Sequence, residues 1–319
     1  MDVSVIMINY NTFDLTKDAL ESIFARTQGL AYEIILVDNL SPDGSGERLR
    51  DLFGDKIVYL QSGGNLGTSK AFNLGLKHAT GKYILWLNTD ILIKENFIKK
   101  LFDYMESDPK CGICGGNVLD FQGRPSISYD MHLLSGKTIW REAGFFTLIF
   151  YRLFANCFSL HYNFSKKPKR VGGIIGADMM IRKSLFETVG DFNEDIFMYG
   201  EETEFTYRVT HQTDYTVISV PEAKIFHLEG GSSKHGTTAF HENKERVIVT
   251  GQMTYIKKWF GKEEARLLLK AWKRMSKNKQ FLYTLMGKKE KKNYFCMKVE
   301  YFNRLQKNFD VFYDELKCS

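Results

Sequence analysis

Val3-Ser4-Val5-Ile6-Met7-Ile8, closed by Asn9-Tyr10-Asn11, opens the chain. Its apolar residues run on without polar alternation, as in a strand covered on both faces in a parallel sheet. Three more short runs, Glu33 to Val37, Lys56 to Leu60 and Tyr83 to Leu87, follow at intervals filled by amphipathic stretches. Strands alternating with helical patterns make βαβ units, so an α/β fold with an open, mostly parallel central sheet flanked by helices is expected. Ligands of such sheets sit beyond the carboxyl ends of the strands. The residues placed there are Asn9-Tyr10-Asn11, then Asp38-Asn39 with Ser41-Pro42-Asp43-Gly44-Ser45, then Asn88-Thr89-Asp90. Helix capping accounts for Thr12, Asp14 and Ser45. It does not account for Asp38 or Asp90, each set where an apolar strand stops.

Composition narrows the class. The 319 residues are 44% hydrophobic and 26% charged, which excludes disordered, collagen-like and disulfide-scaffold chains. No apolar run reaches the roughly 18–20 residues of a spanning helix, and the run after Met1 is too short for a signal-peptide core. Five cysteines without framework spacing suit a reducing compartment. A cytoplasmic chain is therefore expected. The net charge of +6 is uneven: residues 244–319 hold 19 Lys and Arg against 8 Asp and Glu, and the residues before them hold 25 against 30. A basic tail attracts anionic surfaces, although taken by itself it reads first as a solvated helix face.

Three segments divide the chain: residues 1–120, 121–233 with an aromatic insertion at 124–170, and a basic helical extension at 234–319. In the first, Gly63-Gly64-Asn65-Leu66-Gly67 precedes a helix carrying Asn73 and Gly75. A glycine turn that opens a helix offers N–H groups to a phosphate, while close helix-on-sheet packing explains Gly75 as well. In the second, Phe145 to Phe164 is rich in aromatic and aliphatic residues, interrupted by Arg152, Asn156 and His161 and followed by Lys166, Lys167, Lys169 and Arg170. It either lies in a membrane interface or buries one face on the sheet. Strand-like and helical pieces resume from Val171 to His227, Gly230 to Ser233 form a small-residue stretch, and helical periodicity returns through Trp259, Leu267 to Trp272 and Tyr294 to Leu316. Cys111 and Cys114 fall on an expected strand with no second pair to complete a zinc site, so both read as core. Acids at strand ends, the glycine turn and a downstream acidic helix start together suggest a nucleotide diphosphate held through a divalent cation.

These motifs, with Gly176-Ala177-Asp178-Met179-Met180-Ile181-Arg182, Phe186-Glu187-Thr188-Val189-Gly190-Asp191-Phe192-Asn193-Glu194, Tyr199-Gly200-Glu201-Glu202-Thr203-Glu204-Phe205 with Arg208, and His227, resemble the family 2 glycosyltransferases of the GT-A fold, in their rhamnosyltransferase-like branch. The resemblance covers roughly residues 3–230 and implies a Rossmann-like sheet. It also implies an inverting transfer of a sugar from a UDP- or dTDP-sugar to a hydroxyl of a glycan or polyprenyl-diphosphate-linked acceptor in cell-surface polysaccharide synthesis. Asn88-Thr89-Asp90 stands where the family has its DXD-type metal motif; Asn88 replaces the first acid, and Leu92 stands where a further acid is often found. The resemblance makes Asp90 the ligand of Mn2+ or Mg2+, with His227 completing the shell. A structural His227 is the other reading. Asp38 corresponds to the acceptor of the pyrimidine N3–H and Tyr10 to the residue packing on the base, in a nucleotide site with Asn9, Asn11, Asn65, Gly67, Asn73, Asn88 and Thr89. Asp178 and Arg208 correspond to positions near donor sugar or acceptor, and packing explains Asp178 too. The general base is assigned to Glu202, where the family usually has Asp, with Glu201 as fallback; without the family both are ordinary acids of a helix first turn.

The rival reading is a catalytically inactive sugar- or nucleotide-binding protein that keeps the fold, motivated by Asn88, Leu92 and Glu202. Asn9-Tyr10-Asn11-Thr12 is not the glycine- and arginine-rich loop of a sugar-nucleotide pyrophosphorylase, and a processive synthase needs a QxxRW-type motif that is absent. Without a stacking platform, nucleic acid is not an expected partner. The aromatic insertion and basic tail suggest peripheral attachment to an anionic inner face of the plasma membrane.

Overall fold

The computed structural model describes residues 1–154, 159–228 and 240–318. Asn156, Gly230-Gly231-Ser232-Ser233 and His235, singled out above, lie outside the described residues. In chain order the elements of the first part are β1 (Val3–Asn9), α1 (Phe13–Arg26), β2 (Tyr32–Asp38), α2 (Ser45–Phe53), β3 (Val58–Gln61), α3 (Gly67–Leu76), β4 (Tyr83–Leu87), β5 (Ile91–Leu92), α4 (Phe97–Ser107), β6 (Cys111–Leu119) and β7 (Tyr129–Asp130). Then follow α5 (Gly136–Glu142), α6 (Phe145–Phe154), β8 (Lys169–Arg170), β9 (Gly173–Ile174), β10 (Asp178–Arg182), α7 (Ser184–Val189), α8 (Glu201–Gln212) and β11 (Thr216–His227). The tail holds α9 (Glu242–Leu285), α10 (Lys289–Lys307) and α11 (Phe309–Glu315).

Among the described residues nine strands form one sheet in the order β3-β2-β1-β4-β10-β6-β11-β5, with β8 on β11. The first four are parallel, as the unbroken apolar runs require. β10 enters antiparallel between β4 and β6, and β11 runs parallel to β6. β1 shows why its sequence is apolar throughout. Val3, Val5 and Met7 pack with Leu20 and Ile23 of α1 on one face, while Ile6 packs with Ala71 and Phe72 of α3 on the other. Each such side chain taken from water contributes about 1.5–3 kcal/mol. Gly75 does serve close packing: a Cβ there would stand 2.9 Å from Ile6 and 3.1 Å from Val37. Cys111 and Cys114 are wholly buried in β6, and burial pushes the Cys114 thiol well up.

The contacts divide the chain into two compact units. One comprises Met1–Met131, Ser159–Phe197 and the chain from Glu201 through β11, and so contains the sheet. The other comprises α5 and α6, Met198–Gly200 and the C-terminal helices. The centre of the aromatic insertion thus groups with the tail: α5 and α6 pack on α9. α9 bends at Gly261, where φ is +79°. Within this unit Trp272 stacks on Phe302, Lys298 pairs with Glu245 at 2.8 Å, and Arg304 pairs with Glu242 at 2.7 Å.

Candidate active site

Sheet polarity assembles the site. β1, β2, β4, β6 and β11 all point the same way, so their carboxyl ends share one edge, where β10, running the other way, begins. Asn9, Asp38, Asn88, Thr89, Asp90, Asp178 and His227 are thereby gathered at a single rim of the sheet-containing unit. The pairing of β5 with β11 sets His227 opposite Ile91, beside Asp90. His227 Nε2 lies 3.1 Å from Asp90 Oδ1, and the N–H of Leu228 donates to the Asp90 carbonyl at 2.8 Å. Both side chains are largely shielded, at 15% and 8% exposure.

Asp90 and His227 can hold a divalent cation. Two neighbouring ligands on an octahedral ion with bonds of about 2.1 Å stand roughly 3 Å apart, and the carboxylate oxygen and imidazole nitrogen have that spacing. Among the described residues no group of three or more His, Cys, Asp or Glu forms a metal cluster. His227 Nδ1 is buried with no hydrogen-bond partner among the described residues.

The nucleotide-side residues form a hydrogen-bonded lattice around Asn9. Its Nδ2 donates to Asp38 Oδ1 at 2.7 Å, Ser45 Oγ at 2.9 Å and Ser41 Oγ at 3.1 Å. Its Oδ1 accepts from the hydroxyls of Thr12 and Thr16, each at 2.9 Å. Thr12 occupies the cap position of α1, yet its hydroxyl turns to Asn9 rather than capping the helix. Ser45 likewise does not cap α2, which starts after Gly44 at φ +70°. Asp38 is wholly buried, accepts from Ser41 N at 3.0 Å and Ser41 Oγ at 2.6 Å, and lies under Gly46, whose Cβ would fall 2.3 Å from its Cγ. Tyr10 is 40% exposed at the same rim. Asn11 takes φ +57°, tolerable for Asn, and donates its N–H to Ser41 Oγ at 3.0 Å.

At the end of the glycine turn the N–H groups are engaged within the protein. Leu66 N donates to Asn39 Oδ1 at 2.9 Å, Gly67 N to Asn65 Oδ1 at 3.3 Å, and Thr68 N to the Phe197 carbonyl at 2.6 Å. Gly67 is required, since φ is +77° and a Cβ would stand 2.3 Å from the Phe197 oxygen. The turn thus docks the segment leading into α8. Asn65 remains exposed at its tip.

Two further residues are not brought to the rim as ligands. Asn73 is buried and holds Phe192 by both amide ends, at 2.9 Å and 3.1 Å. Arg208 clamps the turn before Phe192: it pairs with the wholly buried Glu204 at 2.8 Å and donates to the carbonyls of Val189, Gly190 and Asp191. Asp178 stands at the rim, buried, accepting from Gly116 N at 2.6 Å, with its Oδ1 unpartnered among the described residues. Burial pushes its carboxyl well above the usual range, opposed by the Gly116 N–H. Glu201 and Glu202 open α8 as expected, Glu201 buried and Glu202 half-buried. Leu40 and Tyr199 hold φ of +57° and +67°, costing about 1–3 kcal/mol each, in the loops after Asp38 and before Glu201.

Asn39, which the sequence places at a strand end without a role, makes four bonds that shape the glycine turn, to Ser62, Asn65, Leu66 and Gly67. The Glu204–Arg208 clamp is legible as an acid and a base four residues apart on one helix.

The model of the glycosyl transferase family 2 matches residues 4–190, more than half of the chain. The chain belongs to glycosyl transferase family 2. It is similar to the low-salt glycan biosynthesis hexosyltransferase Agl10 of Haloferax volcanii, 30% identical over 215 residues that make up 66% of this chain and 62% of that protein. It is also similar to the dTDP-rhamnosyl transferase RfbF of Shigella flexneri, 26% identical over 203 residues, or 63% of this chain and 61% of the relative. Each match spans about three fifths of the relative's length. Among solved structures, GalNAc-T7 with UDP, GalNAc and Mn2+ superposes with a TM-score of 0.60 at 16% identity, covering 86% of this chain and 51% of that one. At that identity the likeness establishes the fold, an α/β GT-A-type architecture with a C-terminal helical region.

Proposed function

We propose that the chain is an inverting glycosyltransferase that moves a sugar from a UDP- or dTDP-sugar to a hydroxyl of a glycan or lipid-linked saccharide used in surface-polysaccharide assembly. The observation that carries this reading is the approach of Asp90 Oδ1 to His227 Nε2 at 3.1 Å, at the sheet edge that also holds Asp38. Asp90 and His227 would hold a cation shared with the donor diphosphate, and the imidazole favours Mn2+ over Mg2+, which binds almost wholly through oxygen. Such a cation supplies charge that stabilises the departing nucleoside diphosphate.

The chain's own groups do the rest. The Asn9 lattice holds Asp38 as an acceptor for the imide N–H that uracil and thymine share, with Tyr10 beside it for the base. Contact with Asp38 requires the Gly46 turn to move aside, because the carboxylate is wholly buried. Glu202, the half-buried acid at the head of α8, takes the proton from the acceptor hydroxyl as that oxygen attacks the anomeric carbon. Asp178, whose carboxyl burial pushes well up, stands at the same rim to meet the donor sugar. The test is turnover of UDP- and dTDP-sugars with and without Mn2+ in the presence of a saccharide acceptor. Metal-dependent transfer with inverted anomeric configuration is expected, and nucleotide binding with no turnover across donors would favour an inactive binding protein.

A further inference from the structure

Phe146, Phe150 and Leu153 follow one another on α6 at spacings of four and three, so they share one helical face. They are 83%, 43% and 63% exposed. Phe145 packs its ring on Phe281 of α9 at 5.7 Å, and Phe281 and Leu285, one turn apart, are exposed as well. Exposed apolar residues therefore continue from Phe146 and Leu153 on α6 to the end of α9 within the helical unit, the kind of surface that marks a docking site. Immediately beyond, after Gly287, stand Lys288, Lys289, Lys291 and Lys292, all exposed. None of the four makes an ion pair among the described residues, whereas Lys298 and Arg304 further along are paired. No helix among the described residues is long and apolar enough to cross a membrane.

We propose that this surface docks on an anionic phospholipid bilayer, the α6 and α9 side chains entering the boundary of headgroups and acyl chains while the four lysines meet lipid phosphates. Charge decides the occupant. The four lysines beside these apolar residues call for opposite charge, which a purely apolar partner does not offer. An anionic leaflet supplies opposite charge directly beside apolar depth. This inference goes beyond the glycosyl-transfer reading and does not depend on it.

The full chain is sedimented with vesicles of phosphatidylcholine alone and of phosphatidylcholine mixed with phosphatidylglycerol. Binding to the anionic vesicles at low salt and release at high salt are expected. Replacing the four lysines by Gln should lower the partition by several hundred-fold, each contributing about five-fold. A Phe146→Trp variant should show blue-shifted emission on anionic vesicles, reporting entry of the ring into the lipid boundary. Unchanged circular dichroism and urea midpoints verify that these surface substitutions leave the fold intact. Failure to sediment with anionic vesicles overturns the proposal. So does bound Phe146→Trp protein without a blue shift, or vesicle-independent dimerisation that Phe146→Ser abolishes in a chain that ignores vesicles. Nucleotide binding on the same preparations is read separately, so a negative result here leaves the active-site reading standing.

Discussion

Asn9 joins two strand ends and two helix starts through five side-chain bonds. Asn9→Ala leaves the buried Asp38 carboxylate short of a donor and two threonine hydroxyls short of an acceptor, so a loss of about 2–4 kcal/mol is expected in urea unfolding. Asp178 acts on stability through pH. Its carboxyl is raised in the folded protein, so the folded state keeps a proton that the unfolded chain releases. That contribution is complete below about pH 4, the unfolded value, and is lost as pH rises toward the raised folded value. Asp178→Asn, which keeps an acceptor for Gly116 N, should flatten this slope: the urea midpoints of variant and parent separate on going from acid to neutral pH, with the variant the more stable. Glu202→Gln should leave nucleotide affinity near that of the parent and lower kcat by about two to four orders of magnitude. A fully active variant moves the base to Glu201 or elsewhere.

At the scale of elements, two glycines hold the loop that leads into α8. Gly67 leaves room for the Phe197 carbonyl, as described above. Gly251, in the helical unit, lies against the chain just before Glu201: a Cβ there would stand 2.3 Å from the carbonyl oxygens of both Met198 and Tyr199. Gly251→Ala must shift the strained Tyr199-Gly200 turn of the same unit. The expected result is a loss of about 1–3 kcal/mol in urea unfolding. The elements themselves were legible where periodicity is strong. Tyr83 to Leu87 is a strand over just that span, and His227 does end one. Capping at Thr12 and Ser45 was misread because both hydroxyls have a stronger claimant in Asn9, a contact no local pattern encodes. The partners of the Leu66 and Thr68 N–H groups, Asn39 and the Phe197 carbonyl, went unread for a similar reason, being distant in sequence.

For the whole molecule, the parallel half of the sheet and the rim at its carboxyl edge follow from unbroken apolar runs in β1, β2 and β4. The insertion of β10 between β4 and β6 does not, because strand order is decided by pairings between segments nearly a hundred residues apart. The same holds for α5 and α6, whose apolar faces give no sign that their partner is α9. Asp90 and His227 are separated by 137 positions and meet only because β5 and β11 pair. That meeting underlies the functional proposal. Its most direct test is calorimetric titration of the parent chain and Asp90→Ala with UDP and with dTDP, each with and without Mn2+. The account expects binding to the parent that requires Mn2+ and disappears in Asp90→Ala. Binding of equal strength without metal, or unchanged by Asp90→Ala, would contradict it.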